Sequence, residues 1–153
     1  MLPVIQFAAA FVYSPRGTSA VSTKSRRLRD VVKAAHPTIL PQLATIVAQQ
    51  VQNGELPGVF GPDVTLVPVP GRAPLHSPDA LWVSERICRA LVNAGLGGEV
   101  WPTLRRVIAV PKSAWSAPGE RPETKPHVRS LEVMDRLPPT RRLLLVDDFV
   151  TKG

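Results

Sequence analysis

Apolar positions along this chain change their spacing from block to block, and each spacing predicts an element. Ile39, Leu43, Ile46, Val47 and Val51 recur three or four apart, which predicts an amphipathic helix from Thr38 to Val51, closing at Asn53-Gly54. Val64 to Val69 is β-branched and aliphatic, and the Pro-Val-Pro-Gly-Arg run that follows forces a turn, so this segment predicts a strand ending in a loop. Val83, Ile87, Leu91 and Ala94 form one stripe. They predict a helix from Asp79 to Ala94, capped by Ser77 or Asp79 and ended by Gly95, which completes a βα step. Leu143 to Val146 is a continuous apolar run, as expected for a central parallel strand covered on both faces.

The remaining blocks are less regular. Met1 to Tyr13 is apolar but too short for a membrane span and lacks the basic start of a signal peptide, so it reads as a core strand of a cytoplasmic protein with no membrane partner. Ser14 to Pro37 begins as a turn and continues with Arg16, Lys24, Arg26, Arg27, Arg29 and Lys33 against only Asp30, a basic loop and then helix. Gly98 to Val110 reads as a short strand and a connection. Pro111 to Ser130 is a proline-rich, polar loop, either a mobile functional loop or a solvated linker. Strands alternating with helices predict an α/β fold with a parallel sheet, and 153 residues suit a single domain.

The formal charge of +7 adds an expectation that the surface attracts phosphates, whether on nucleotides, nucleic acid or a sugar phosphate. The single cysteine, Cys88, excludes an internal disulfide and a cysteine metal cluster, and reads as a buried small hydrophobe. His36, His76 and His127 are scattered without ligand-like spacing. Trp82 and Trp101 read as packing residues, whereas Trp115, in the long loop, has the chemistry to stack on a base or seal a closed lid.

The end of the chain carries the most specific chemistry. Ligands of open parallel sheets bind beyond the carboxyl ends of the strands, where Asp147 and Asp148 follow the last apolar run. Two adjacent carboxylates repel, and a ribose diol with Mg²⁺ would compensate both. Thr151, Lys152 and Gly153 then supply a hydroxyl, a cation and a sharp turn, the composition of a phosphate cradle. The plainer alternative is that Asp147 caps the next element and Lys152 is a solvated surface charge.

The stretch LLLVDDFVTKG resembles the phosphoribosyl pyrophosphate (PRPP) motif of type I phosphoribosyltransferases, in which a hydrophobic strand, two acids and a Thr-Lys-Gly-like turn occur in that order. Upstream, LVPVPGRAPLHSPDALWVSERICRALVNAGL is similar to the strand, pyrophosphate loop and helix of the competence-associated ComF-like branch. LRRVIAVPKSAWSAPGERPETKPHVRSLEV is similar to its mobile loop, and RRLRDVVKAAHP more weakly to its Lys-containing segment. The likeness spans most of the chain from Arg26 onward and is strongest at the end.

That resemblance implies a Rossmann-like phosphoribosyltransferase fold and an Mg²⁺-dependent glycosyltransferase that passes the phosphoribosyl group of PRPP to an unknown nitrogen nucleophile. It implies that Asp147 and Asp148 bind the ribose hydroxyls, with one of them stabilising positive charge on the ribose during catalysis. Val150, Thr151, Lys152 and Gly153 would hold the 5′-phosphate. Gly71 and Arg72 would face pyrophosphate, Gly71 through its backbone and Arg72 through its charge, unless Arg72 is simply solvated. Lys33 would be a second pyrophosphate contact or part of the basic helix. Lys112, Arg121 or Lys125 would reach the pyrophosphate when the loop at 111–130 closes. Mg²⁺ would be held mainly through bound PRPP.

Related catalytic domains continue past the glycine with a Thr or Ser, a helix and at least one more strand. The sequence as given therefore reads as a fragment or a frameshifted remnant, with an incomplete C-terminal part and a bare sheet edge or face. PRPP binding is expected to be poor unless a partner or further residues complete the grip. The competing reading is a non-catalytic PRPP sensor or nucleic-acid module of the same fold, related to DNA uptake, with the basic stretch from Arg16 to Lys33 against a phosphate backbone. A dimer is compatible with either.

Overall fold

A computed structural model describes residues 8–11, 13, 14, 16–56, 58–76, 80–110, 124–134 and 142–149. The order of elements is α1 (Ala20–Lys33), α2 (Ile39–Gln52), β1 (Val64–Pro68), α3 (Val83–Asn93), β2 (Glu99–Val100), β3 (Leu104–Arg106), α4 (Thr124–Arg129), β4 (Leu131–Val133) and β5 (Arg142–Val146). Strands β2, β1 and β5 form a parallel sheet in that order, while β3 and β4 pair antiparallel. The fold is α/β with a parallel sheet, compatible with a Rossmann-like class.

The helices follow from local chemistry. Ser19 caps α1, its hydroxyl accepting from the Ser22 N–H at 3.2 Å, and Lys33 sits in the last turn, where a cation suits the exposed carbonyls. Pro41 falls in the first turn of α2, where its missing N–H removes no intrahelical bond. The third helix begins at Val83 rather than Asp79, with Trp82 at the cap position; Ser77 and Asp79 lie outside the described residues.

Leu66 is fully buried at the centre of the core. Around it, α2 contributes Ala44 and Val47, α3 contributes Cys88 and Leu91, and Val64 and Leu96 complete the cluster, with Leu144 and Val146 packed against it. Truncating Leu66 to alanine would remove about 2–5 kcal/mol of stability. Gly97 is needed for this packing, since a Cβ there would come within 2.9 Å of Leu66 Cγ.

One expectation is corrected here. The strand with neighbours on both sides is β1, buried at all five positions, and β5 is an edge strand among the described residues. Thr65 and Val67 are covered on the face away from the core cluster, but their register neighbours Leu143 and Leu145 are 44% and 62% exposed. A continuous apolar run reports that a strand suits cover on both faces, not that the cover is supplied.

Two further segments differ from expectation. Gly98 to Val110 contains two strands, the second pairing antiparallel with β4. The segment read as loop to Ser130 ends in α4; its residues 111–123 lie outside the described residues. Of the apolar start, Ala8–Phe11 and Tyr13 are described and form no strand.

Candidate functional site

The carboxyl ends of β1 and β5 lie side by side, joined beyond the paired residues by a bond from the Val69 N–H to the Val146 carbonyl at 2.9 Å. Everything that follows Val146 and Val69 is therefore delivered to one end of the sheet, where ligands of open α/β sheets bind.

After Val146 the chain turns on its own carboxylates. The Asp148 N–H donates to Asp147 Oδ1 at 2.8 Å and the Phe149 N–H to Asp148 Oδ1 at 2.7 Å. Each acid thus fixes the backbone of the next residue, the turn chemistry available to any Asp pair. Asp148 does more. Its second oxygen, Oδ2, accepts from Lys33 Nζ at the end of α1, and its side chain is only 12% exposed, so the partner cation compensates a largely desolvated carboxylate. Asp147 has no cation bound to it among the described residues. Partial desolvation at the strand end, with the neighbouring Asp148 carboxylate adding to it, pushes its carboxyl above the usual carboxylate range.

An aromatic layer flanks this pair. Lys33 Nζ lies 5.6 Å from the Phe149 ring centroid, and Tyr13 meets Phe149 edge to face at 5.2 Å. The Tyr13 hydroxyl accepts from Arg29 Nη1 at 3.2 Å, and Arg29 also donates to Asp30. The N-terminal segment and the basic helix are thereby fastened to the acid turn.

The loop after β1 is held from its far side. Trp82 Nε1 donates to the Val69 carbonyl at 3.2 Å, Arg106 Nε to the Gly71 carbonyl at 2.9 Å, and the Val110 N–H to the Arg72 carbonyl at 2.8 Å. Arg72 itself is exposed, and a Cβ at Gly71 would meet nothing within 4 Å, so the backbone there is open to an approaching group.

Of the residues singled out from sequence, Lys33 and Asp148 are in contact, Asp147 adjoins them, and Gly71 and Arg72 occupy the loop of the neighbouring strand. Lys125 is exposed on α4. Lys112, Arg121, Val150, Thr151, Lys152 and Gly153 lie outside the described residues. Sequence reasoning missed Tyr13, Arg29 and Arg106 as parts of this region. For Arg106 a signal existed, because alternation along β3 puts it on the same face as Leu104.

No group of three or more His, Cys, Asp or Glu side chains suited to a metal occurs among the described residues. The acid pair still fits a hard cation such as Mg²⁺, which binds through one or two carboxylates, substrate phosphates and retained waters rather than an all-protein cage. No helix among the described residues is long and apolar enough to cross a membrane. No protein-family model, curated protein or solved structure matches this chain.

Proposed function

We propose that this protein binds PRPP with Mg²⁺ and transfers its phosphoribosyl group to a nitrogen nucleophile. The observation that carries the reading is the meeting of Asp147, Asp148 and Lys33 at the end of β5, beside the Gly71-Arg72 loop that follows β1. Carboxylates repel a phosphate backbone but accept from ribose hydroxyls, so an acid pair with one lysine ammonium on it suits a phosphorylated sugar better than nucleic acid.

In this reading Asp147 and Asp148 accept from the 2′ and 3′ hydroxyls and hold the ribose in place. Arg72 and the open Gly71 backbone take the pyrophosphate, while Lys33 exchanges part of its bond with Asp148 for the incoming anion. As pyrophosphate leaves, positive charge grows at C1 of the ribose, and the fixed acids stabilise it through space. Bound Mg²⁺ supplies neutralisation of the pyrophosphate charge. The ion would be held mainly through PRPP oxygens, with the negative charge of the acid pair close enough to favour it.

A calorimetric titration of the protein with PRPP, with and without Mg²⁺, tests the proposal. Saturable binding that disappears when Mg²⁺ is chelated is expected. Absent binding, or binding indifferent to chelation, contradicts it.

A further inference from the structure

Arg106 is 9% exposed, yet among the described residues it contacts no carboxylate. Its Nε donates to the Gly71 carbonyl, and its Nη1 to the His127 carbonyl at 3.0 Å and to the Ser130 hydroxyl. All three acceptors are neutral, and burial alone pulls its pKa down. A buried cation without a counter-charge is costly, and natural proteins usually pair it.

Those three bonds are made by Nε and Nη1. The second terminal nitrogen, Nη2, makes none of them and, among the described residues, keeps its two donors. The guanidinium is thus fixed as a rigid fork with one end unspent. Arg106 lines a groove of about 160 Å³, whose other walls include Pro70, Ala73, Leu75, Trp82 and Leu104. The walls are mainly apolar, and Trp82 is held by its bond to the Val69 carbonyl. The neighbouring Arg105, also on the rim, already pairs with Glu132 at 2.8 Å.

We propose that this groove binds a small aromatic monocarboxylate, its ring against Trp82 and Leu75 and its carboxylate on Nη2 of Arg106. A single fixed cation with two free hydrogens matches a monoanion, whereas a phosphate dianion would call for more donors than the groove offers. The apolar walls and the volume suit one ring. The groove's walls do not include the acid pair, though they share the loop after β1 with the proposed pyrophosphate contacts, and groove binding does not depend on PRPP being the ligand there.

The test is calorimetry on the full chain with benzoate, benzamide and phenyl phosphate, and in parallel with PRPP and Mg²⁺. Benzoate is expected to bind at least about tenfold tighter than benzamide, the usual worth of one charge-assisted bond. It should also bind tighter than phenyl phosphate. Arg106→Met should weaken benzoate by about tenfold or more. Because a buried arginine can be needed for folding, Ala73→Leu provides a second variant: Ala73 is exposed, and a leucine there fills the groove without touching the core. That variant should abolish benzoate binding. Equal binding of benzoate and benzamide, a preference for phenyl phosphate, no benzoate binding at all, or no effect of Ala73→Leu would overturn the proposal. Asp147→Asn with Asp148→Asn should leave benzoate affinity unchanged. Benzoate binding without PRPP binding counts against phosphoribosyl transfer only, and the reverse counts against the groove only.

Discussion

Lys33 and Asp148 are 115 residues apart in sequence and form an ion pair that joins the end of α1 to the turn after β5. The pair brings a cation to the acid turn. It also ties the basic helix to the sheet through a side chain that is half exposed and thus free to re-pair.

Replacing Lys33 with methionine should cost about 1 kcal/mol of stability, because the ammonium is half exposed while the Asp148 side chain it compensates is largely buried. Urea unfolding of Lys33→Met, Asp148→Asn and the double variant would read this. A coupling energy near zero would mean that the pair contributes nothing to the fold.

The Asp147 carboxyl has a raised pKa in the fold. A carboxyl with a higher pKa folded than unfolded binds protons preferentially in the native state, so its contribution is full at low pH and is lost as pH rises through the folded value. Asp147→Asn removes that loss. The melting temperature of the ligand-free variant relative to wild type should therefore rise as pH increases from about 4 toward neutrality. A flat or falling difference would contradict the assignment.

Burial pushes the Cys88 thiol up to about 12, and its residue is wholly inaccessible. At pH 8 the native protein should resist thiol reagents, reacting only at the rate of unfolding. Rapid labelling under native conditions would place the residue elsewhere.

Gly97→Ala should destabilise by about 1–3 kcal/mol, since the added methyl presses on the buried Leu66 side chain. Leu66→Val in the same background should recover part of the loss, measured by thermal unfolding. Failure of the second change to help would show that strain at Gly97 has another source.

The first three helices and strand β1 were legible because their signals are local. The 3–4 spacing of Ile39 to Val51 and the stripe through Val83, Ile87 and Leu91 define α2 and α3, and the aliphatic run at Val64 defines β1. The edge position of β5 was not legible, because the hydrophobicity of Leu143 and Leu145 does not report what lies over them. The acids at 147 and 148 stood out by following an apolar strand. Their tie to Lys33 had no sequence signal, since long-range side-chain pairing leaves no period, and the buried Arg106 looked like one more charge in a basic chain.

The most direct test of the central claim compares PRPP binding, in the presence of Mg²⁺, between the native protein and Asp147→Asn with Asp148→Asn. Loss of binding in a variant that still unfolds cooperatively is the predicted result, because the ribose hydroxyls lose their charged acceptors. Unchanged affinity in that variant would contradict the claim that this acid pair holds the sugar.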